Sequence, residues 1–317
     1  MSHTVGIYTL GCKVNQYESE AIAEAFSAEG FSVRPPHQVC DVYVINTCTV
    51  TAESDRKAGQ FIRRMIKKNP AAFVLVTGCL GQTDPARVAR IDGVDYVCGN
   101  TDKLSVVEAA KALLAGGVKG AVPRVSVSPL EDAPFEEMVI TRFDRTRAYV
   151  KIEDGCESRC AYCIIPRARG PIRSKAPTAV IAEVEGLVAG GCREVVLTGI
   201  ETASYGKDLE GSYGLADLLC EVDRIDGIGR VRLGSLDPSL MTPSFVEKIA
   251  PFLPEKDIAA DIYITHTRRV LLVDLNSWGG NTDAKMLKWE QLQETQKPLY
   301  GIVPPPRKIS GQLEVKF

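Results

Sequence analysis

Strands that alternate with helices constrain the fold of this chain more than any other feature of its sequence. In the first hundred residues, short apolar runs predict strands at 5–10, 42–45, 73–76 and 96–98. Helical patterns follow these strands at 17–29, 52–68, 85–90 and 104–114. Repeated strand-then-helix units predict an α/β domain with a doubly wound parallel sheet.

A second series of the same kind begins near residue 147. Strands are predicted at 148–152, 194–197 and 231–233, and helices at 177–189 and 215–225. This pattern is typical of part of an α/β barrel. Gly, Pro, Ser and acidic residues collect between the two series. We therefore expect a first domain at 1–116, a linker at 117–146 and a partial barrel at 147–250.

The totals fit a protein of about two domains that works inside the cell. The chain has 317 residues, 45% of them apolar and 25% charged, with a formal net charge of -2. Any contact with nucleic acid therefore needs a local basic patch. No secretory signal or long apolar span is found, so we expect a cytoplasmic protein that does not contact membranes. Ten cysteines in that compartment favour metal ligation or catalysis over disulfides.

Three of these cysteines, Cys156, Cys160 and Cys163, follow a predicted strand with C-x3-C-x2-C spacing. Three thiolates from one loop can hold three irons of a four-iron four-sulfur cluster. The open fourth iron can then bind S-adenosylmethionine (SAM) and pass it one electron, which makes these residues catalytic candidates. The alternative is a structural zinc site, which needs a fourth ligand and usually a second cysteine pair, and neither follows nearby.

Three further cysteines lie far apart in the sequence, but each follows a predicted strand of the first domain. Cys12, Cys48 and Cys79 should meet, because the carboxyl ends of parallel strands converge at one edge of a sheet. Gly11 and Gly78 precede two of them and permit sharp turns. The interpretations left open are a second metal-sulfur site and three unrelated buried cysteines.

The other four cysteines show no partner pattern, and we interpret them as core residues. They are Cys40, Cys98, Cys192 and Cys220.

Basic residues surround the C-x3-C-x2-C loop. They are Arg142, Arg145, Arg147, Lys151, Arg159, Arg167, Arg169, Arg173 and Lys175. Three roles fit them: contacts with RNA phosphates, contacts with the carboxylate of SAM, or exposure to water.

The cysteine segments resemble a known family, the radical SAM methylthiotransferases. The segments 9–16, 46–51 and 77–79 are similar to the N-terminal domain of that family. The segments 154–166, 168–170 and 173–174 are similar to its radical SAM domain. The resemblance runs from about Val5 to about Ile249 and is closest to the branch that acts on N6-threonylcarbamoyladenosine in tRNA.

The resemblance implies cofactors and site residues. It implies that Cys12, Cys48 and Cys79 hold an auxiliary four-iron four-sulfur cluster, beside the one at the second triad, and that SAM is bound. Tyr162 resembles the aromatic residue that packs near the SAM adenine. Residues of two later segments match positions that line the SAM site: Gly199, Glu201, Ser235 and Asp237.

The implied activity is insertion of a methylthio group at carbon 2 of N6-threonylcarbamoyladenosine, beside the anticodon. The implied partners are tRNA and a reductant such as flavodoxin or ferredoxin. Sister branches act on isopentenyladenosine in tRNA or on an aspartate of a ribosomal protein, and these substrates remain alternatives.

Residues 251–317 depart from the family, in which further barrel strands and a small RNA-binding β-barrel would follow. Both tryptophans, Trp278 and Trp289, lie in this tail, and no cysteine does. We interpret the tail as a truncated or frameshifted sequence, with disorder as one expectation and a genuine divergent domain as the alternative. The alternative to an enzyme is therefore an inactive iron-sulfur protein.

Overall fold

The structure is a computed structural model that describes residues 2–143, 146–234, 236–252, 258–264 and 270–277. The chain divides into two compact units, Met1–Phe252 and Leu253–Phe317. The predicted functional residues belong to the first unit. One of them, Ser235, lies outside the described residues.

The first sheet is parallel throughout, with strand order β2-β1-β3-β4-β5-β6. Its strands are β1 (Thr4–Thr9), β2 (Ser32–Arg34), β3 (Val42–Thr47), β4 (Phe73–Gly78), β5 (Tyr96–Cys98) and β6 (Arg124–Ser126). The helices that follow are α1 (Lys13–Ala28), α2 (Ala52–Lys68), α3 (Cys79–Thr83), α4 (Pro85–Ala89) and α5 (Ser105–Gly116). The strand order turns back between β1 and β3, as in other doubly wound sheets.

Helices cover both faces of this sheet, which confirms the predicted fold class. Val42 and Val44 of β3 point to the core beneath α1 and α5. Tyr43 and Ile45, the alternate residues, point to the core beneath α2 and α4. A strand buried on both faces gives a continuous apolar run rather than an alternating pattern, and β3 and β4 show this run.

Two edge strands were not predicted, β2 and β6. Each has three residues, and all residues of β6 are exposed. Such strands leave no hydrophobic pattern, because backbone pairing with a neighbouring strand forms them. β6 lies within the segment interpreted as a linker with some strand character, for which no strand bounds were predicted.

The second series forms a smaller parallel sheet with strand order β11-β10-β7, and an antiparallel β8-β9 pair. Its strands are β7 (Ala148–Lys151), β8 (Glu153–Asp154), β9 (Arg173–Ser174), β10 (Glu194–Thr198) and β11 (Arg230–Leu233). Its helices are α6 (Ile165–Arg169), α7 (Pro177–Ala189), α8 (Leu215–Asp223) and α9 (Pro243–Ile249), with 3-10 turns at Thr202–Ser204, Pro238–Leu240 and Ala250–Phe252. This arrangement is a partial α/β barrel, as predicted.

One helix belongs to both cores. Ile22 and Phe26 of α1 pack beneath the first sheet. Tyr17 and Ala21, on another side of α1, pack in the core that contains β7, α7 and α8. The two sheets are therefore joined by buried side chains as well as by the chain itself.

In the second unit, β12 (Ile258–Ile264) and β13 (Val270–Ser277) form an antiparallel pair. Trp278 and Trp289 lie outside the described residues. Among the helices that the structure describes, none has the length and apolar character needed to cross a membrane.

Two cysteine sites and the cleft beside them

Cys12, Cys48 and Cys79 each follow a strand of the first sheet at its carboxyl end. Thr9 of β1 pairs with Asn46 of β3, and Asn46 pairs with Thr77 of β4, so the three strands end side by side. Cys12 is exposed at the start of α1, whereas Cys48 and Cys79 are buried. The structure therefore places all three thiols at one edge of the sheet.

Glycines allow the backbone to approach closely at this edge. A Cβ on Gly11 would lie 2.8 Å from Cβ of Cys48 and 3.1 Å from its Sγ, and Gly11 has a φ of +111°. A Cβ on Gly78, at φ +94°, would lie 2.4 Å from the backbone oxygen of Thr47. No other residue fits these two positions without moving the neighbouring strand.

The three thiols interact electrostatically. Burial raises the pKa of Cys48, and the negative charges of Cys79 and Cys12 raise it further. Metal ligation removes this penalty, because a metal binds the thiolate form and neutralises its charge. Three thiols that share a glycine-lined edge therefore fit the ligand set of an iron-sulfur cluster.

Within the described part of the chain, no group of three His, Cys, Asp or Glu side chains could hold a single metal ion. A zinc site is therefore not preformed at either triad. A four-iron cluster has a different requirement, because its cysteines bind different irons around an inorganic core.

The second triad lies in the loop between β8 and α6. The backbone NH of Cys156 donates to the oxygen of Gly170 at 3.0 Å, and that of Cys163 donates to the oxygen of Cys160 at 3.0 Å. Cys160 is exposed and the other two are partly buried. Three donors held by one hydrogen-bonded loop fit the cluster that the spacing predicts.

A cleft of about 210 Å³ opens beside this loop. Ser158 of the loop lines it together with Glu201 and Asp237, which the resemblance assigned to the SAM site. The carboxylate of Glu201 accepts hydrogen bonds from the backbone NH groups of Asp237 at 3.2 Å and Ala203 at 3.3 Å. Acidic side chains in the cleft fit the ammonium and sulfonium groups of SAM.

Two of the predicted SAM residues do not line this cleft. Tyr162 is 93% exposed among the residues that the structure describes, so its ring is available to a ligand. Gly199 instead packs closely against Glu153, since a Cβ at this position would lie 2.6 Å from Oε2 of Glu153.

Glu153 is a buried acid that the sequence did not identify. Its Oε2 accepts from the backbone NH of Glu201 at 2.7 Å, and its Oε1 is buried with no hydrogen-bond partner among the described residues. Burial raises the pKa of Glu153 to about 8, and the charge of Asp154 adds to this rise. A protonated Glu153 therefore stands behind the Gly199–Glu201 segment at neutral pH.

The basic segment around the loop divides into buried and exposed members. Lys151, Arg169 and Arg173 form buried ion pairs with Asp154, and Lys175 pairs with Glu183 at 2.6 Å. These four cations therefore cannot contact RNA. The exposed members are Arg142, Arg147, Arg159 and Arg167, and Arg145 lies outside the described residues.

The other four cysteines are buried, as predicted. Cys40, Cys98 and Cys192 each belong to a hydrophobic core, and Cys220 is 8% exposed. Burial raises the pKa of Cys98 to about 11, as expected for an inert core thiol.

Two stretches of the chain match known family models. Residues 4–99 match the family described as "Uncharacterized protein family UPF0004". Residues 239–313, which include most of the segment predicted to diverge from the methylthiotransferases, match a family described as D123.

The chain is also similar to curated proteins. It is 44% identical over 247 residues to the threonylcarbamoyladenosine tRNA methylthiotransferase MtaB of Bacillus subtilis (strain 168), covering 77% of this chain and 54% of the relative. It is 36% identical over 253 residues to MtaB of Aquifex aeolicus (strain VF5), covering 78% and 61%. The chain thus spans little more than half the length of these relatives.

Among solved structures, the chain resembles the radical S-adenosylmethionine methyltransferase TsrM from Kitasatospora setae, which was determined with cobalamin and a [4Fe-4S] cluster bound. The TM-score is 0.54 at 20% identity, and the match covers 79% of this chain and 59% of the other. This likeness supports the fold, an open α/β sheet followed by barrel strands. The sequence matches and the fold agree, and the chain belongs to the radical SAM methylthiotransferase family.

Proposed function

We propose that this protein is a tRNA methylthiotransferase that inserts a methylthio group at carbon 2 of N6-threonylcarbamoyladenosine. The observation that carries the proposal is the 44% identity to MtaB of Bacillus subtilis. Both cysteine triads at strand ends support it, because this reaction needs two separate metal sites.

The triads would hold two different clusters. Cys156, Cys160 and Cys163 would bind the cluster that contacts SAM, and Cys12, Cys48 and Cys79 would bind the auxiliary cluster. When bound, the first cluster and SAM supply a radical that removes hydrogen from the target carbon, and the auxiliary cluster supplies the sulfur.

Side chains of the cleft would bind and orient SAM. The carboxylates of Glu201 and Asp237 would hold its cationic groups, and Ser158 places the cleft next to the cysteine loop. The exposed ring of Tyr162 would stack on its adenine. Ser235 lies outside the described residues, and its role in SAM binding stays a prediction.

Exposed cations near the two sites would bind the RNA backbone. Lys13 adjoins Cys12, and Arg159 and Arg167 flank the second triad. Phosphate contacts of this kind position a nucleic acid without reading its sequence. Because Cys160 is exposed, a small electron carrier such as flavodoxin or ferredoxin could approach this triad.

Cluster content and SAM cleavage test the proposal. Anaerobically reconstituted protein should contain about eight irons per chain, since each four-iron cluster contributes four. Cys160→Ala should abolish formation of 5′-deoxyadenosine, whereas Cys48→Ala should leave it measurable and stop sulfur insertion. Cys220→Ala, at a buried core position, is the matched control and should preserve both reactions. Equal loss of both reactions in the first two variants would argue against separate roles.

Nucleoside analysis tests the substrate. Other relatives are named for different substrates: a tRNA-2-methylthio-N(6)-dimethylallyladenosine synthase at 32% identity and the ribosomal protein uS12 methylthiotransferase RimO at 30%, both of Desulfitobacterium hafniense. Mass spectrometry of tRNA from cells lacking the gene should show loss of 2-methylthio-N6-threonylcarbamoyladenosine alone. An unchanged level of this nucleoside would exclude the proposed substrate.

The second candidate is an iron-sulfur protein without methylthiotransferase activity. It is favoured by the D123 match at 239–313, a different family from the one that residues 4–99 match. Reduced, reconstituted protein that binds eight irons but does not cleave SAM would support this candidate.

A further inference from the structure

A buried cluster of charges joins the first sheet's edge to the loop of the second triad. Arg169 lies at its centre. Its Nη1 donates to Oε1 of Glu18 at 2.5 Å and to Oδ2 of Asp154 at 3.1 Å. The members of this charge cluster are Glu18, Lys103, Lys151, Asp154, Arg169 and Arg173, each at most 6% exposed.

Cations outnumber carboxylates in this cluster. Among its described members, four are cations and two are acids, Glu18 and Asp154. Burial alone would raise the pKa of Glu18, but Arg169, Lys103 and Lys151 hold it well below its ordinary value, so Glu18 is ionised. Glu136 also interacts with Lys103 and Lys151, and burial raises its pKa. Cations remain in excess even if Glu136 is counted as ionised.

An excess of buried positive charge is unfavourable unless an anion balances it. Internal carboxylates do not supply that balance here. Two polar atoms of the cluster's arginines, Nε of Arg169 and Nε of Arg173, are also buried with no hydrogen-bond partner among the described residues. The charge cluster therefore lacks an anion.

Two asparagines connect the charge cluster to the auxiliary cysteines. Nη2 of Arg169 donates to Oδ1 of Asn15 at 2.5 Å, and the thiol of Cys12 reaches the same oxygen at 3.5 Å. Nδ2 of Asn100 donates to the oxygen of Ala168, next to Arg169, at 2.6 Å and lies 3.7 Å from Sγ of Cys79. The unbalanced charge thus borders two of the three auxiliary thiols.

Electrostatic interactions keep Arg169 charged. Burial lowers the pKa of Arg169, but the negative charges of Asp154 and Glu18 raise it well above its ordinary value. Burial and the charge of Arg169 lower the pKa of Lys103, and the charge of Glu18 opposes both effects.

We propose that Arg169 is a positioning residue for the auxiliary site: with Lys103 it supplies the positive charge that balances the anionic cluster held by Cys12, Cys48 and Cys79. The proposal rests on the proposed function, because it assumes that this triad binds a cluster. Arg169 comes from the region of the second triad, so it also links the retention of one cluster to the folding of the loop that holds the other.

The charge balance has a measurable consequence for reduction. Adding an electron makes the cluster more negative, and nearby positive charge stabilises the reduced form. Removing the charge of Arg169 should therefore shift the reduction potential of the auxiliary cluster to more negative values. It should also weaken cluster retention by about 10-fold to 100-fold, the usual effect of losing a residue that supports a metal's ligands.

The test uses a full-length parent in which Cys156, Cys160 and Cys163 are all replaced by alanine, so that only the auxiliary cluster can form. Reconstituted parent protein should hold about four irons per chain. Its reduction potential is measured by titration followed with electron paramagnetic resonance, and its cluster retention by iron loss to a chelator. A parent without iron would refute the auxiliary cluster and thus the proposed function.

Four variants of that parent test the inference itself. Arg169→Gln should lower the potential and speed iron loss, and Arg169→Lys should restore most of both. The double variant Glu18→Gln with Arg169→Gln removes one charge of each sign, so its potential should stay near that of the parent. Arg147→Gln, which breaks an exposed pair with Glu194, is the control and should change neither.

Two outcomes would overturn the inference. One is an iron-loaded Arg169→Gln variant whose potential and iron retention equal those of the parent. The other is a double variant that shifts as far as Arg169→Gln, because the net charge would then not matter. If Arg169→Gln does not fold, Glu18→Gln alone decides: it removes one negative charge beside Arg169, so the potential should shift to more positive values, and an unchanged potential would overturn the inference.

Discussion

Replacing Gly155 by alanine should disrupt the loop of the second triad. Gly155 has a φ of +96°, and a Cβ there would lie 1.9 Å from the backbone oxygen of Pro171. Carbon and oxygen atoms without a covalent bond do not approach so closely. The alanine variant must therefore move the backbone next to Cys156, the first cysteine of the triad.

Gly191 offers a matched control, because its φ is +95° and nothing lies within 4 Å of a Cβ built there. It follows α7 in a helix-ending turn, in which the NH of Cys192 donates to the oxygen of Leu187. Gly191→Ala should therefore cost only the conformational penalty of a positive φ, about 1–2 kcal/mol.

Gly155→Ala should cost more, because three effects add. The positive φ costs about 1–2 kcal/mol, as at Gly191. Overlap with Pro171 costs about 1–3 kcal/mol, as in other overpacked sites. Loss of the hydrogen bond from Cys156 to Gly170 costs about 1 kcal/mol. The total is about 3–6 kcal/mol.

Urea unfolding of the metal-free proteins measures the free energy of unfolding, and iron analysis measures the clusters. Gly155→Ala should unfold at a lower urea concentration than Gly191→Ala and, after reconstitution, should lose about four of eight irons. Gly191→Ala should keep all of them. Equal unfolding midpoints and equal iron contents would refute the reasoning, because the clash at Pro171 would then have no consequence.

Three further substitutions test the energetics. The pKa of Glu153 is raised to about 8 from an ordinary value of 4.5. The stability that its neutral form provides is therefore fully present below pH 4.5 and is lost as the pH rises from 4.5 to about 8. Glu153→Gln should therefore flatten the fall in urea midpoint between pH 6 and 8, and an unchanged slope would contradict this assignment. Lys175→Met should lower the free energy of unfolding by about 3–5 kcal/mol, since it leaves buried Glu183 unpaired, and adding Glu183→Gln should recover part of the loss in the same urea assay. Thr51→Ala should cost about 1 kcal/mol, because the hydroxyl caps α2 by accepting from the NH of Ser54 at 3.1 Å; Thr51→Ser should not lower the melting temperature to the same extent.

The parts of the fold that the sequence predicted are those with strong local signals. Both α2 and α7 have the predicted bounds, 52–68 and 177–189. A capping threonine precedes the first and glycines end the second, so local chemistry defines these ends. The central residues of β3 and β4 were also predicted, because each of these strands contains a continuous apolar run.

Elements without such signals were missed or misplaced. The sequence predicted that α1 begins at Tyr17, but it begins at Lys13. Its first turn has a single buried apolar residue, Val14, and its N-cap is Cys12, whose side chain makes no capping hydrogen bond. Tertiary contacts at the sheet's edge define that turn, and a periodicity argument does not include them.

The cysteine positions could be predicted because they follow from strand order. Once Cys12, Cys48 and Cys79 were assigned to strand ends, a parallel sheet required them to share an edge. The cleft could not be predicted in the same way, because Ser158, Glu201 and Asp237 come from three separate segments. Only the resemblance to a family indicated two of these residues in advance.

Charge composition was the least informative part of the sequence. Lys151, Arg169 and Arg173 belong to a segment that could equally have faced RNA or water, yet they are buried. The partners that make burial possible lie elsewhere: Glu18 is on α1, about 150 residues before Arg169. Whether a cation is exposed depends on such distant acids, so a count of charges along a segment cannot decide it.

Helix α1 contacts the elements that carry both cysteine sites. Its start carries Cys12, its Glu18 accepts from Arg169, and its Tyr17 donates to Glu183 at 2.9 Å. A shift of this helix would therefore move an auxiliary thiol and, through Arg169 and Asp154, the segment that enters the second triad. Since a packed interior transmits small displacements rather than absorbing them, the spacing of the two sites is fixed by the side chains of one helix.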